Sequence, residues 1–588
     1  MLASLVVAWS SQLQFSAKDS RKACDCYCLL AVGTKSGSIS IWRFDRPSYY
    51  SVEHADDSIN KNFIGVIQAH DSWVTALSWG FLVTAGDNVL VSVVSLCVPI
   101  QSPRKVQLAF GKGSGSFEVW MCDTEVKSSH NVGSYDAHVQ AITGLVWAFD
   151  GRCLYSCSQD NSMRGWIYHK SSLSEASVPP NNLGTRSFSD LPSVSDSCYG
   201  MAISPGNLAL AVARRFDAGQ LDHMYQKRTQ RAAVEFFWIG GQQVDLPLIA
   251  NLELDVEGHT SFSKEELGYW GSKLLLSLKQ YECHNKHLVI WDIIAALSAF
   301  KPYAPWFVKH IVLRWLELLL KDYVDPSIRN ILSNMPKYMS NISSRHLHLL
   351  NIFCRRVIAS SGFEADKVYT KPAALIKPYG EEEQQWMDIL LNSEKELRER
   401  MVGFSLSTVS ICESNQASKA NFGLWNPIGV AQMVKWVIKN KDCVNCQLTL
   451  LASELEGLGA RLQSVCDYSA EEQCSFCSAA IPFESPEIAY CKGIKCPGQE
   501  AAQQHKLSRC AVSMKVCPVT AIWFCMCCRR RASNLPPLQL FTMNNYPPDF
   551  LSFTKSSMTN LIPIPLCPFC GISLQRLQPD FLLSISPV

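Results

Sequence analysis

Eleven of the chain's 25 cysteines fall within 97 residues, between Cys474 and Cys570. The stretch opens on Cys474-Ser-Phe-Cys477 and closes on Cys567-Pro-Phe-Cys570. Between them lie Cys491, Cys496, His505, Cys510, Cys517, Cys525, Cys527 and Cys528. Two cysteines separated by two residues can be presented to one ion by a short turn, and Zn2+ takes four thiolate or imidazole ligands tetrahedrally. Gly571, directly after the closing pair, permits the backbone turn that a zinc knuckle needs. Two such pairs bracketing a Cys/His cluster predict structural zinc, with donors enough for two ions.

Disulfides are the competing use of so many cysteines. Residues 1–17 contain the apolar run Leu5-Val6-Val7-Ala8 but no basic n-region, the first basic residue being Lys18. That start reads as intracellular, and a reducing compartment favours metal over disulfide. A catalytic zinc would keep an open coordination position beside an acid or base. Neither His-Glu-x-x-His nor His-x-Glu with Pro-Cys-x-x-Cys occurs. Two interleaved structural sites are therefore expected, held by Cys474, Cys477, Cys496, His505, Cys525, Cys528, Cys567 and Cys570. Cys510 is a ninth candidate able to displace one of these, and the pairing of ligands stays open. Cys491, Cys517 and Cys527 read as buried thiols, which behave as small hydrophobes.

At 588 residues the chain exceeds what one hydrophobic core supports, so several domains are expected. Apolar residues at 47% and charged ones at 18% describe a folded chain. A net charge of +2 gives no global field toward nucleic acid or membrane. The longest apolar run, near Val89–Ile100, is too short to span a bilayer.

Residues 1–250 read as β-rich. Leu29 to Trp42 gives an apolar strand, a Gly/Ser turn and an alternating strand ending in tryptophan, a hairpin by period and turn chemistry. The pattern recurs from Leu108 to Trp120 and from Leu154 to Trp166. Ala69-His70 and Ala137-His138 each precede an apolar strand and a tryptophan, Trp79 and Trp147. The spacing fits four-stranded blades, and these features resemble WD repeats. In that pattern His70, His138 and Asp160 support hydrogen-bonded networks that fix a blade, and the tryptophans pack between blades. Gly200–Ala213 and Ala233–Gly240 look like further, weaker blades. About four units are countable where closure takes four to eight, so closure of the ring is left open. The chain starts close upon a strand, which reads as an N-terminally shortened propeller. The glycine-rich Gly111–Gly115 lacks the Lys-Ser/Thr of a phosphate loop and reads as a hairpin turn. Residues 171–197 read as a loop.

From about Ser263 the apolar period becomes helical, clearest in Phe307–Lys321, Glu381–Arg400 and Gln447–Val465, with a break at Tyr369–Gly380. The expected architecture is thus an all-β WD-repeat-like propeller over 1–250, a mainly helical region over 251–470 and a small zinc-stabilised domain over 471–588.

Four stretches carry a more specific resemblance: Cys474-Ser-Phe-Cys477-Ser-Ala-Ala-Ile-Pro-Phe-Glu-Ser-Pro, His505-Lys-Leu-Ser-Arg-Cys510-Ala-Val-Ser-Met, Trp523-Phe-Cys525-Met-Cys527-Cys528-Arg-Arg and Cys567-Pro-Phe-Cys570-Gly-Ile. Together they resemble the C-terminal zinc domain of the delta subunit (the ninety-kilodalton class) of general transcription factor IIIC, plant branch. That resemblance implies a nuclear scaffold that bridges promoter-bound factor to the initiation factor and RNA polymerase III. Its implied partners are the other factor IIIC subunits, the initiation factor and polymerase subunits, with DNA contact weak or indirect and no membrane.

The residues themselves assemble no nucleophile elbow, Walker motif or dinucleotide fingerprint. The family is also credited with histone acetyltransferase activity, which implies acetyl-coenzyme A and histone as substrates. An acetyltransferase of the common fold cradles pyrophosphate in an Arg/Gln-x-x-Gly-x-Gly/Ala loop at a helix start. Arg400–Ser405 and Gln107–Gly113 are the near misses. A RING-like ubiquitin-ligase module is a third reading, resting on crossed zinc sites.

Overall fold

The computed structural model describes residues 4–10, 13–14, 26–45, 61–68, 72–82, 100–101, 105–123, 128–149, 151–169, 171–178, 195–216, 232–244, 262–282, 287–321, 331–358, 381–414, 429–458, 472–493, 504–518, 523–543 and 563–576. The chain divides into two compact units, Met1–Ile311 and Val312–Val588.

Among the described residues the first unit is built on four sheets, antiparallel but for one two-residue pairing. The first holds β1 (Ser4–Trp9), β2 (Leu13–Gln14), β3 (Cys26–Thr34), β4 (Ser38–Asp45) and β5 (Lys61–Gln68). The next strand, β6 (Val74–Leu82), starts the second sheet, and the short β7 (Ile100–Gln101) returns to the first through a parallel pairing with β2. β8 (Lys105–Lys112), β9 (Ser116–Asp123) and β10 (Ser128–Asp136) complete the second sheet. The third sheet runs in chain order through β11 (Ile142–Ala148), β12 (Cys153–Ser158), β13 (Met163–His169) and β14 (Ser172–Ala176). The fourth is β15 (Ser195–Ile203), β16 (Ala209–Phe216) and β17 (Ala232–Trp238).

Each hairpin read from the sequence forms: β3–β4, β8–β9 and β12–β13. The glycine-rich stretch is the β8–β9 turn, where Gly115 sits at φ 89° with its N–H on the Lys112 carbonyl. Two readings change. Ser172–Ala176, taken for loop, pairs with β13 as an outer strand. The two weaker blade segments join into one three-stranded sheet.

Period two explains why β12 is buried along its whole length. Its alternate side chains serve opposite neighbours. Leu154, opposite Trp147 and Trp166 in register, packs toward the second sheet with Phe117 and Val119. Cys153, Tyr155 and Cys157 pack toward the fourth with Leu210 and Val212. The sheets stack in chain order, with β6 against β1, β11 against β6, and β15 against β11. Among the described residues the fourth sheet does not return to the first, so no closed ring is formed.

Helices α1 (Lys264–Glu282) and α2 (Val289–Phe300) cover the turn ends of the third and fourth sheets. Asp292 of α2 accepts from Ser204 Oγ at 2.5 Å and from the Gly206 N–H at 2.7 Å, which pins the β15–β16 turn. Trp270 of α1 lies so close to Gly240 that an added Cβ there would meet its ring at 2.2 Å. Lys273, 2% exposed, points its ammonium at the Gln242 carbonyl and over the Phe149 ring.

The next helix, α3 (Pro305–Leu320), contains the boundary between the units. The second unit continues with α4 (Ile331–Tyr338), α5 (Ser344–Ile352), α6 (Glu381–Ser414), α7 (Val430–Lys439) and α8 (Cys446–Gly457). α6 is its spine, packed by α4, α5, α7 and α8. The periodic run ending at Arg400 therefore continues four turns further, while the break expected at Tyr369–Gly380 lies outside the described residues. Arg400, fully buried on α6, reaches the Ile342 carbonyl at 2.7 Å and Ser344 Oγ at 3.1 Å, and so ties the entry of α5 to the spine. Among the described residues no helix is long and apolar enough to cross a membrane.

Candidate metal centres

Among the described residues, two groups of four donors stand in the second unit, each with its ligand atoms within 4.8 Å of one another. The first is Cys474, Cys477, Cys491 and His505, and the second is Cys525, Cys528, Cys567 and Cys570.

Short β-elements set the spacing. Cys474 and Cys477 occupy the turn between β18 (Glu472–Gln473) and β19 (Ala480–Ile481). Cys491 follows β20 (Ile488–Tyr490), and His505 precedes β21 (Lys506–Ser508); these strands pair, which brings the two ends together. In the second group Cys525 follows β22 (Trp523–Phe524), which pairs on one side with β23 (Arg531–Ala532) and on the other with β24 (Gln575–Arg576). This small sheet places the Cys525–Cys528 turn beside the Cys567–Cys570 turn.

All three turns have one geometry. The N–H four residues after the first cysteine returns to that cysteine's carbonyl: Ser478 to Cys474 at 2.7 Å, Arg529 to Cys525 at 2.8 Å and Gly571 to Cys567 at 2.8 Å. The returning residue is left-handed each time, with φ of 56°, 57° and 63°. Only the last is glycine, so two of the three turns carry left-handed backbone on a side-chain-bearing residue. The shared turn brings the two sulfurs of each pair within 4.8 Å of one another.

The donor separations fit a tetrahedral ion. With Zn–S near 2.3 Å and Zn–N near 2.0 Å, ligand–ligand edges are about 3.5–3.8 Å. In the first group Cys474 Sγ and Cys491 Sγ lie 3.7 and 3.6 Å from His505 Nδ1, and Cys477 Sγ lies 3.7 Å from Cys491 Sγ. In the second, Cys528 Sγ and Cys567 Sγ are 3.6 Å apart. The His505 N–H donates to Cys491 Sγ at 3.1 Å and draws that thiol down to about 6. In the buried second group, burial alone would raise Cys528, but hydrogen bonds from Cys525, Cys567 and Cys570 hold it well below the ordinary thiol value. Burial, with hydrogen bonds to Cys525, Cys527, Cys528 and Cys567, pushes Cys570 well above it. A divalent cation binds thiolates, so filling this donor set would release whatever protons its sulfurs hold.

A second ring of contacts orients the closing turn. From α5, Arg345 Nη1 donates to the Gly571 carbonyl at 3.4 Å, the His348 ring meets the Pro568 carbonyl at 3.1 Å, and Asn351 Oδ1 accepts from Cys570 Sγ at 3.5 Å. These residues share one helix face by their i, i+3, i+6 spacing. Burial drives His348 well below the usual imidazole range, so it stays neutral. Glu394 of α6 takes Arg355 on one oxygen and Arg530 on the other, the latter at 2.8 Å. Carboxylate, guanidinium and helix together hold the Cys525–Arg530 turn in place, the kind of outer support on which metal affinity depends.

Seven of the nine residues singled out from the sequence enter the two groups: Cys474, Cys477, His505, Cys525, Cys528, Cys567 and Cys570. Cys496 lies outside the described residues, and the fourth corner of the first group is Cys491, which the sequence suggested was a buried thiol. The signal for Cys491 was the β20–β21 pairing, invisible before the strands are known. Cys510 stands in neither group. It heads a fourth turn of the same kind, with the Met514 N–H on its carbonyl at 2.9 Å and Met514 at φ 58°. Ser513 occupies the place of the second cysteine. Cys510 Sγ instead accepts the N–H groups of Val512, Ser513 and Ser533 at 3.4, 3.4 and 3.2 Å. The groups are also consecutive along the chain, not interleaved, which removes the crossed arrangement behind the RING-like reading. The two acetyltransferase near misses fall on regular structure. Arg400 and Gly403 are inside α6, and Gln107–Lys112 belong to β8, where no helix starts.

In the first unit the third sheet carries a second functional signature, a polar chain through its core. Trp166 Nε1 donates to Ser156 Oγ at 3.0 Å, Ser156 Oγ meets His138 Nε2 at 2.9 Å, and His138 Nδ1 meets Ser162 Oγ at 2.8 Å. Ser162 Oγ then donates to Asp160 Oδ1 at 2.6 Å, and Asp160 Oδ2 takes the Val139 N–H at 3.0 Å. Trp166 also packs edge-on against Phe117 of the second sheet. His138, Asp160 and Trp166 thus do what the repeat pattern asks of them, while His70 lies outside the described residues.

This network is the arrangement of a WD repeat. The family model for the WD domain, G-beta repeat, matches residues 129–166, which span that network. Solved structures similar to this chain include the mitotic checkpoint complex, at 18% identity over 32% of this chain and 43% of that one, with TM-score 0.19. Sqt1 of Chaetomium thermophilum bound to the N-terminus of ribosomal protein L10 is similar at 14% identity over 34% and 53%, with TM-score 0.20. The RRP9 WD40 repeats are similar at 16% identity over 32% and 42%, with TM-score 0.18. The chain spans about two fifths to half of the structures it matches. No curated protein matches it in sequence.

Proposed function

We propose that this chain is a scaffold subunit of the general transcription factor IIIC of RNA polymerase III, acting in the nucleus to bridge promoter-bound factor to the initiation factor and polymerase. The observation that carries the reading is that residues behind the resemblance, from Cys474 to Cys570, gather into two four-donor groups built on one repeated turn. A WD repeat, a helical spine and a metal-braced module form a set of interaction surfaces, and such surfaces hold partners together.

Both groups suit Zn2+, because three or four thiolates at tetrahedral spacing favour it over oxygen-seeking cations. Four protein donors complete each shell, so the ions would be structural. They would hold the short strands of a module that has little apolar core of its own. A net charge of +2 fits a subunit whose DNA contact comes through its neighbours.

The test is affinity purification of the tagged full chain from nuclear extract, with co-purifying proteins identified by mass spectrometry. Recovery of other factor IIIC subunits or polymerase III subunits is the expected result. Soluble, zinc-loaded protein that recovers none of them would overturn the assembly reading and leave the metal assignment standing.

A further inference from the structure

One row of side chains recurs in every sheet of the first unit. Trp79, Leu108 and Trp120 stand side by side across β6, β8 and β9 of the second sheet. Trp147, Leu154 and Trp166 hold the same places in the third sheet, and Ile203, Leu210 and Phe237 in the fourth. Each row lies on the face turned to the preceding sheet. Leu108 and Trp120 pack with Ala31 and Ile41, Leu154 and Trp166 with Phe117 and Val119, and Leu210 and Phe237 with Cys153 and Tyr155. So covered, Leu108, Leu154 and Leu210 are at most 1% exposed. The first sheet carries the row as well: Trp9, Leu30 and Trp42 are in register across β1, β3 and β4, with Phe63 of β5 against the Trp42 ring. Among the described residues no sheet stacks on this face. Leu30 is accordingly only half-buried, Trp9 is 55% exposed, and Val7, Phe63 and Val66 of the same face are similarly open.

The opposite faces follow a second rule, in which small residues of the middle strand stand beside larger ones of the next. Ala31 is beside Ile41 and Gly33 beside Ile39 in the first sheet, and Ala109 is beside Val119 and Gly111 beside Phe117 in the second. The hollow over the small residues takes the following sheet. An added Cβ at Gly33 would meet Val74 at 2.6 Å, and one at Gly111 would meet Ile142 at 2.6 Å. The fourth sheet repeats the pattern, with Ala211 beside Phe236 and Ala213 beside Val234. Among the described residues no sheet follows it, and Phe236 and Val234 are 56% and 53% exposed.

We propose that a second copy of this chain covers both open faces, the fourth sheet of each copy packing on the first sheet of the other. The two faces are the two halves of a contact that the unit already makes between its own consecutive sheets: a Trp-Leu-Trp row on one side and small residues beside Val or Phe on the other. Extended apolar faces of this kind mark association surfaces. One chain therefore bears both complements, and a second copy supplies both missing neighbours at once. Head-to-tail contacts end in a ring when the rotation closes. Two copies of a four-sheet stack bring eight sheets, within the four to eight that a closed propeller takes. The inference rests on the sheets of the first unit alone and stands whichever complex the chain joins.

The test is sedimentation of the purified full chain over a micromolar concentration series. The expected species has twice the 65.6 kDa of one chain, with nothing larger at the top of the series. Val66→Arg charges the open face of the first sheet and Val234→Arg that of the fourth, and neither position is buried. Each variant should raise the dimer dissociation constant at least tenfold with unchanged far-ultraviolet circular dichroism. Mixed together, the two variants keep one unaltered contact per pair, so they should associate with each other more tightly than either does with itself. A monomer throughout the series, an open ladder of higher oligomers, or a dimer indifferent to both variants would each overturn the proposal. So would a dimer lost with Val66→Arg but untouched by Val234→Arg, which would mean that first sheets pair face to face.

Discussion

Replacing Cys491 by serine tests the first donor group most sharply, because Cys491 and Cys496 compete for one corner. Cys491 is 1% exposed, its sulfur lies 3.6 Å from His505 Nδ1 and 3.7 Å from Cys477 Sγ, and the β20–β21 pairing holds it there. Structural zinc in small domains contributes about 10–16 kcal/mol of binding free energy, shared here among four donors. One thiolate is then worth roughly 2.5–4 kcal/mol, or about 10²–10³-fold in affinity. Serine keeps the size but offers a hydroxyl that does not ionise at neutral pH. Purified in the presence of a competing chelator and measured by inductively coupled plasma mass spectrometry, the wild-type chain should hold two zinc ions and Cys491→Ser one. Cys510→Ser should hold two, because Cys510 is held by backbone N–H groups, and so should Cys496→Ser. A Cys496→Ser chain with one ion beside a Cys491→Ser chain with two would refute the geometry of the first group.

Three further outcomes follow from buried polar groups. Burial lowers Lys273 from 10.5 to about 7, so the folded chain binds fewer protons than the unfolded one between those values. Wild-type stability therefore rises with pH across that window. Lys273→Met should raise the stability of the first unit by about 1–3 kcal/mol at pH 7 and leave it nearly unchanged at pH 10.5, read by urea unfolding at both pH values; parallel curves would sink the assignment. Burial, reinforced by Glu396, raises Glu399 from 4.5 to about 7, and its cost is full above pH 7 and absent below pH 4.5. Glu399→Gln should stabilise the second unit by about 1–2 kcal/mol at pH 8 and not at pH 4.5, seen in the melting temperature. His138→Ala removes the centre of the Trp166–Ser156–His138–Asp160 chain and takes one hydrogen-bond partner each from Ser156 Oγ and Ser162 Oγ. The expected loss is about 2–4 kcal/mol by thermal unfolding, and a loss below about 0.5 kcal/mol would mean that the chain of hydrogen bonds is not structural.

Local chemistry was legible in the sequence. The hairpins around Gly37 and Gly115 follow from period two and turn residues, and the long amphipathic helix that starts at Glu381 follows from period 3.6. The cysteine pairs at 474/477 and 567/570 declared their turns because two residues of spacing leave the backbone few options. His138 and Asp160 could be placed in a blade network for the same reason, since the repeat ties each to a fixed position before a strand and in a turn.

What the sequence could not decide depends on distance through space. Cys491 and Cys496 are five residues apart and chemically identical, and only the pairing of β20 with β21 selects one as the partner of His505. Cys510 looks like any ligand until its turn is seen to end in Ser513, where backbone N–H groups satisfy the sulfur. Whether eight donors interleave or follow one another depends on which strands pair. The pairing of β22 with β24 joins residues about fifty apart. The same holds for the outer support. Arg345, His348 and Asn351 are an unremarked helix face in the sequence, and they become positioning residues only because α5 docks on the turn from Pro568 to Gly571. Covalent spacing sets the turns; long-range packing chooses their partners, because the free energy that selects among alternatives lies in contacts no local window contains.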